Sequence, residues 1–521
     1  MNLARTLMIQ GTASSVGKST LVIGLCRLFA QEGYRVAPFK AQNMSLNAAV
    51  TSSGGEIGRA QATQAEAAGI EPTVEMNPIL LKPESYARSQ VIVMGRPLGT
   101  MEARAYYQQR TGFDEIVQSA LITLRQSVDL VIIEGAGSPV EINLAQYDLV
   151  NMRVAALADA PVLLVGDIDQ GGIFATLLGT LMLLQPEERA RVKGLIVNKF
   201  RGDFSLWREG ERMLAARSGI PVLGTLPFLE RLHIAEEDSV SLQTGTAALL
   251  RQQQQSNSAA VDIVLVRFPY LSNYDEFDAL AADPRVHLHV VAHPHEFPPH
   301  PDLILLPGTK NTFSDLAWLW RQGLAQHIRQ CSQQGIALLG ICGGYQMLGE
   351  RVSDPSGVEA EAGSVEAGLG LLPLETVFGS LDEKVTQRSQ ASVDPQAKYG
   401  LFANVEETQL QGYQIHVGQT RAPVQNGAPG HAAFRVDARQ EDGWIDEEGW
   451  CAGCSLHGLF ENDQFRQAVL SVLVQRRSSQ RGPLAPITFS REHEYDRLAE
   501  MLRRSLDLHA LTMLCQLTKN L

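Results

Sequence analysis

Cys342 and His457 are the residues of this chain whose surroundings point most directly to covalent chemistry. Cys342 ends an apolar run (residues 336–341) and sits among glycines in Gly340-Ile-Cys-Gly-Gly-Tyr-Gln346. That pattern describes a strand-to-helix elbow, a turn that lifts a strained nucleophile above a sheet. A thiol needs a base to become mostly thiolate at neutral pH. His457, in Ser455-Leu-His-Gly-Leu-Phe-Glu461, closes a second apolar run far downstream and supplies one. An arbitrary cysteine and histidine would be read as a core thiol and a loop imidazole. The glycines around Cys342 decide for catalysis.

A second group of residues points to phosphate. Apolar residues 7–10 run into Gly11-Thr-Ala-Ser-Ser-Val-Gly-Lys-Ser-Thr20, and residues 21–30 read as a helix. In a strand–loop–helix context, backbone N–H groups and the helix N-terminus cradle phosphate. Lys18 reaches the terminal phosphates and Ser19 can ligate magnesium. Gly11, Gly17, Lys18, Ser19 and Thr20 are thus the expected ATP-binding set. Lys40, ending the run 36–40, either adds positive charge to that pocket or is a surface lysine.

Carboxylates at strand ends carry extra weight, because sites in open α/β sheets lie beyond the carboxyl ends of the strands. Glu134 ends the buried run 130–134 and is placed to hold Mg²⁺ with Ser19. Glu141 and Asp148 follow it, as site carboxylates or as a solvated acidic loop. Asp167 and Asp169, in Asp167-Ile-Asp-Gln-Gly-Gly-Ile-Phe174, close the next strand in the same way. Asn198, ending the strand after that, is placed to read an adenine ring through its amide.

The elements that position these residues follow from the apolar pattern. Runs at 7–10, 36–40, 130–134, 162–167, 195–198 and 222–226 alternate with helical stretches, which implies a mostly parallel sheet covered on both faces. A polar stretch, Gln252-Gln-Gln-Gln-Ser-Asn-Ser258, marks a linker. A second series follows at 263–268, 286–292, 303–307, 337–342, 413–417 and 454–459. Residues 380–400 read as an irregular excursion and 476–483 as a loop. Tyr495, Leu498, Leu502, Leu506 and Leu508 describe an amphipathic terminal helix, expected to pack on the second domain.

Composition bounds the partners. The chain has 521 residues, 45% hydrophobic and 19% charged, as an ordinary globular protein of two or three domains does. Its net charge of −13 argues against nucleic acid as a main partner. No apolar stretch is long enough for membrane insertion, and the first strand begins too early for a signal peptide. Six cysteines do not make a disulfide framework in a chain this long, and the cytoplasm is the expected compartment. Cys451 and Cys454 could suggest zinc or redox chemistry, but no second ligand pair is evident and the incidental reading is preferred.

Taken together, the motifs resemble known families. The phosphate loop has Gly11 one residue earlier than the strict pattern, a spacing similar to the dethiobiotin synthetase group. The Cys342 elbow with His457 resembles the glutaminase site of class I glutamine amidotransferases, which release ammonia through a cysteinyl thioester. The ordered set from Gly11 to Asn462 resembles the cobyric acid synthase family. It includes Ala41-Gln-Asn-Met-Ser-Leu-Asn47, Met76-Asn-Pro-Ile-Leu-Leu-Lys-Pro83, Glu134-Gly-Ala-Gly-Ser-Pro139 and Asn198-Lys-Phe-Arg-Gly-Asp203. Pro307-Gly-Thr-Lys-Asn-Thr312 and Gly412-Tyr-Gln-Ile-His-Val-Gly418 complete it.

The resemblance implies an α/β fold of two mostly parallel-sheet domains, P-loop NTPase-like and then class I amidotransferase-like (flavodoxin-like). Residues 1–240 would be the ATP-dependent amide synthetase domain, 241–259 a linker, 260–475 the glutaminase domain and 476–521 a terminal loop and helix. It implies ATP, Mg²⁺ and glutamine as the nitrogen donor. A corrinoid is the implied substrate, amidated at its b, d, e and g side-chain carboxylates through acyl phosphates. Gly308 and the N–H of Gly343 are the expected oxyanion donors.

One position departs from most class I members: Leu459 stands where a glutamate normally orients the histidine, as in the cobalamin-type branch. The orienting group is then open, with Glu461 a candidate; His416 is expected to pack. Two alternatives stand beside this reading. Cobyrinic acid a,c-diamide synthase shares the plan, but the Ala-Gln-Asn-Met-Ser and Asn-Lys-Phe-Arg-Gly-Asp runs favour the cobyric acid synthase family. A P-loop switch ATPase would carry a damaged nucleophile, whereas Cys342 is intact.

Overall fold

The protein is described by a computed structural model covering residues 3–517, apart from 85–86, 230–231, 233, 235–260, 407–408, 423–427, 438–439 and 478–486. The expected linker therefore lies outside the described residues, as does most of the 476–483 loop. The chain divides into two compact units. The first comprises Met1–Ser45, Gly55–Glu237 and Ser490–Leu521; the second comprises Leu46–Gly54 and Asp238–Phe489.

In the first unit every expected apolar run is a strand: β1 (Arg5–Gly11), β2 (Val36–Phe39), β3 (Leu130–Glu134), β4 (Val162–Asp167), β5 (Val192–Phe200) and β6 (Val222–Pro227). They pair in the order β6-β5-β4-β1-β3-β2, all parallel. Both faces are buried, so successive residues serve different cores. Leu7 and Ile9 pack beside the helix Lys18–Gln31, and Met8 packs on the other face. This continuous burial explains why the strands read as unbroken apolar runs. A smaller sheet (Gln42–Met44, Ile79–Pro83, Arg88–Val93, Arg96–Glu102) was not expected, because its strands are short and partly polar.

The terminal helix Arg491–Ser505 corrects an expectation. It packs on the first unit, not the second. Leu502 lies against Gly24 of the helix Lys18–Gln31, where a Cβ would stand 2.6 Å from Leu502 Cδ1. Arg27 pairs with Glu492 and Asp496 across the same contact. The helix stops before Leu506, and a second helix, Leu508–Leu514, follows.

The second unit is built on β7 (Val261–Val266), β8 (Val286–Val291), β9 (Leu303–Leu306), β10 (Ala337–Ile341), β11 (Trp444–Ile445) and β12 (Cys451–Cys454). Their order is β8-β7-β9-β10-β12-β11, parallel except for the β12–β11 edge. Residues 380–400 are not irregular: Val385–Val393 is a strand pairing with Leu410–His416 in a separate antiparallel sheet. The run at 413–417 belongs to that sheet, not to the parallel one. The segment Leu46–Gly54 joins this unit through Asn273, whose Oδ1 accepts from Ala48 N (2.9 Å) while its N–H donates to Asn47 Oδ1 (2.8 Å).

Candidate active site

Cys342 stands between β10 and the helix Gly343–Leu348 with φ 51° and ψ −111°. A non-glycine residue held there costs on the order of 1–3 kcal/mol, and the neighbouring glycines permit it. A Cβ on Gly344 would lie 2.0 Å from Leu306 O, and one on Gly340 would lie 2.7 Å from Tyr345 N. The helix can therefore start directly against the sheet only with glycine at these places. Cys342 Sγ is 3.6 Å from Ile415 O and near enough to His457 to interact with it electrostatically.

His457 follows β12 and is fixed from three sides. Its backbone exchanges N–H···O bonds with Tyr413 (2.9 and 3.3 Å), and its ring stacks on Tyr413 at 5.1 Å between centroids. Gly308 lies under the ring, where a Cβ would stand 2.7 Å from His457 Cε1. The orienting group is Glu276: its Oε1 is 2.8 Å from His457 Nδ1, and its Oε2 accepts from Gly458 N at 3.0 Å. Glu461 is thereby displaced as the candidate. Burial disfavours a charged imidazole here, but Glu276 and the Cys342 thiol outweigh it and push His457 up to about 10.

Gly343 opens the nucleophile helix, and the loop Gly308–Thr309 runs beside it; a Cβ on Gly343 would stand 2.5 Å from Thr309 Cγ2. Gly308 O accepts from Ser272 N at 3.0 Å, which fixes the loop. The helix is braced by Gln346, whose Oε1 accepts from Thr312 Oγ1 at 2.9 Å. His416 is an interior packing residue with Nδ1 3.0 Å from Gly418 O; burial lowers its pKa, and the nearby His457 adds to the effect.

In the first unit, the loop between β1 and the helix Lys18–Gln31 passes through left-handed Ser15 (φ 59°) and Gly17 (φ 96°). A Cβ on Gly17 would meet Asn198 Nδ2 at 2.2 Å, and one on Gly11 would meet Val16 Cγ2 at 2.5 Å. Lys18 Nζ donates to Ala13 O (2.9 Å) and Gly137 O (3.1 Å). Ser19 Oγ donates to Glu134 Oε1 at 2.8 Å, and Thr20 follows in the first helical turn.

Glu134 has no solvent exposure, so its charge requires compensation. Lys40 Nζ, 3.0 Å from Oε1, provides it and is itself buried rather than a surface lysine. Gln64 Nε2 donates to Oε2. The Ser19 hydroxyl beside the Glu134 carboxylate is a pair of hard oxygen donors, which fits Mg²⁺.

Two family models match the chain: a "CobQ/CobB/MinD/ParA nucleotide binding domain" over residues 7–242 and a "CobB/CobQ-like glutamine amidotransferase domain" over residues 262–465. Among curated relatives, the cobyric acid synthase of Sorangium cellulosum is 47% identical, covering 97% of each chain. Those of Desulfitobacterium hafniense and Herpetosiphon aurantiacus are 46% and 48% identical, covering 99% and 98% of each chain. The chain belongs to the cobyric acid synthase family.

Within this cobyric acid synthase framework, several expected residues have jobs that sequence did not assign. Asn198 Nδ2 donates to Val16 O at 2.8 Å, so its amide braces the phosphate loop from behind. Asp148 accepts from the N–H groups of Val150, Asn151 and Arg153 and so fixes the start of the helix Met152–Ala158. It is held by the backbone rather than lying in a solvated loop. Glu141 is exposed at the start of a short turn. Asp167 pairs with Lys199 (2.8 Å), which also donates to Ser15 O, and Asp169 pairs with Arg201 (3.1 Å). Cys451 and Cys454 belong to cores on opposite faces of β12, so they cannot share a metal.

Glu276, Gln64 and Lys199 were not anticipated. Glu276 lies in a turn rich in polar residues after β7, with no local signal. Gln64 sits on the helix Arg59–Ala67, whose polar sequence reads as solvated although nearly every residue is buried.

Proposed function

We propose that this family member performs ATP- and glutamine-dependent amidation of the b, d, e and g side-chain carboxylates of adenosylcobyrinic acid a,c-diamide. The observation that carries the reading is the Cys342–His457–Glu276 arrangement in a chain that also bears the Lys18–Ser19–Glu134 phosphate loop. At the first site, His457 holds the Cys342 proton as an imidazolium, and Sγ attacks the glutamine side-chain carbonyl. The tetrahedral oxyanion faces the N–H groups of Gly343 and the Gly308 loop. Collapse forms a thioester, and His457 returns the proton to the departing ammonia. Water then releases glutamate and regenerates the thiol.

A carboxylate does not react with ammonia directly, because oxide is too poor a leaving group. At the second site a corrin carboxylate oxygen attacks the γ-phosphorus of ATP, giving an acyl phosphate and ADP. Lys18 offsets the charge of the transferring group. Ser19 and Glu134 would hold Mg²⁺, which supplies further charge neutralisation when bound. Ammonia adds to the acyl carbonyl, loses a proton and expels phosphate, leaving the amide. The unpaired thiols of all six cysteines support a cytoplasmic setting.

The test is mass spectrometry of adenosylcobyrinic acid a,c-diamide incubated with enzyme and Mg-ATP. Wild type with glutamine is compared with Cys342→Ala supplied with glutamine or with ammonium chloride. Stepwise replacement of OH by NH₂, abolished by the substitution and restored by ammonium, is the expected result. Glutamine consumption with an unchanged corrin would refute the substrate assignment while sparing the glutaminase.

A further inference from the structure

The edge of the glutaminase sheet carries a side-chain cluster that the amidation chemistry does not use. His287 and His289 lie two residues apart on β8, so both project from one face. Asp262, the second residue of β7, is the direct partner of His287 in the parallel pair. His289 Nε2 is 3.0 Å and His287 Nδ1 3.4 Å from the same oxygen, Asp262 Oδ1. One ligand atom from each of the three falls within 4.8 Å of the others. The strands are parallel and Cys342 follows the carboxyl end of β10, so this cluster stands at the opposite end of the sheet.

We propose that Asp262, His287 and His289 form a binding site for a late first-row divalent cation of the zinc class. Two imidazoles and one carboxylate are a donor set suited to Zn²⁺, with solvent filling a fourth position. In a tetrahedral site with bonds of about 2.0–2.2 Å, ligand atoms stand roughly 3.3–3.6 Å apart. The separations around Asp262 Oδ1 are already near that spacing. The side chains are 19–29% exposed, so an ion can enter from solvent.

The surrounding charges bear on affinity. Arg477 Nη1 is 2.9 Å from Asp262 Oδ2 and 3.1 Å from Asp302 Oδ2. Arg476 also interacts with Asp302, so two guanidinium groups balance the two carboxylates. Arg477 competes for Asp262, which makes its removal a distinguishing probe. A bound ion would tie the edge strand β8 to β7.

The experiment uses the full chain with Cys342→Ala, so that the active-site thiol cannot bind metal, after removal of metals by chelation. Co²⁺ titration should show one site with d–d absorption and no sulfur charge transfer, and Zn²⁺ should displace it. His289→Ala and Asp262→Asn should each weaken Zn²⁺ binding at least about 10-fold, and Arg477→Ala should strengthen it. Zn²⁺ should also raise the melting temperature of the parent and not of His289→Ala. Equal affinity and stoichiometry in the parent and in folded His287→Ala/His289→Ala, or no Co²⁺ site in the parent, would overturn the proposal.

Discussion

Glu276 Oε1 and His457 Nδ1 are 2.8 Å apart although 181 residues separate them in the chain, and both side chains are almost fully buried. The contact orients the ring, favours its charged form and leaves Nε2 for Cys342. Glu276→Gln preserves the shape and removes the charge. Glutamine-dependent turnover should fall at least about 10²-fold, by analogy with loss of the orienting carboxylate in serine-protease triads. Ammonia-dependent amidation should be unaffected, and steady-state kinetics with each nitrogen source checks both.

The same pair sets a pH dependence of stability. His457 is raised from 6.5 to about 10, so its contribution is complete below about pH 6.5 and lost as pH rises through about 10. The stability difference between wild type and His457→Gln should therefore shrink across that window. Cys342→Ala removes one of the raising groups, so in that variant the loss should be smaller and end at lower pH. Denaturant midpoints measured at stepped pH values decide the matter.

Lys40→Met should strand the Glu134 charge in the first core. The expected destabilisation is about 3–5 kcal/mol, as for breaking a buried ion pair. Adding Glu134→Gln should recover much of it, because the charge is gone while the amide still meets Ser19. Chemical denaturation of the two variants separates this electrostatic cost from any effect on nucleotide binding.

Gly308→Ala would place a Cβ 2.7 Å from His457 Cε1. The ring must move, and glutaminase activity should drop at least about 10-fold through misalignment. The melting temperature should change far less than for Gly344→Ala, whose Cβ would meet the carbonyl of Leu306. Parallel glutaminase assays and thermal melts provide the comparison.

Gly24→Val should loosen the terminal helix from the helix Lys18–Gln31 by overpacking Leu502. A cost of about 1–3 kcal/mol is expected, partly relieved by Leu502→Ala in the double variant. A cost in Gly24→Val that Leu502→Ala does not lessen would show that the strain arises elsewhere.

The parts of the fold legible in the sequence were those written locally. The strands bearing Glu134 and Asp167 are buried on both faces and read as plain apolar runs. The Cys342 elbow announces itself because glycine is required at Gly340 and Gly344 by direct backbone approach. Glu276 was illegible because only topology carries it to His457, and a glutamate in a polar turn has no distinguishing neighbour. Gln64 was hidden for the opposite reason: a polar helix looks solvated, yet here it is buried and the Gln64 amide N–H donates to Glu134. The terminal helix showed its apolar stripe but not its partner, since periodicity records a face and not what covers it.

Because Ser490–Leu521 completes the first unit, synthesis order and assembly order differ. On the ribosome, every residue of the glutaminase unit emerges before the nucleotide unit has its last piece. A chain stopped after residue 489 would leave Leu21, Leu25 and Leu28 without part of the core they share with Ala499 and Leu502. A nascent chain at that stage would carry all of the amidotransferase-like unit while its nucleotide-binding unit is unfinished.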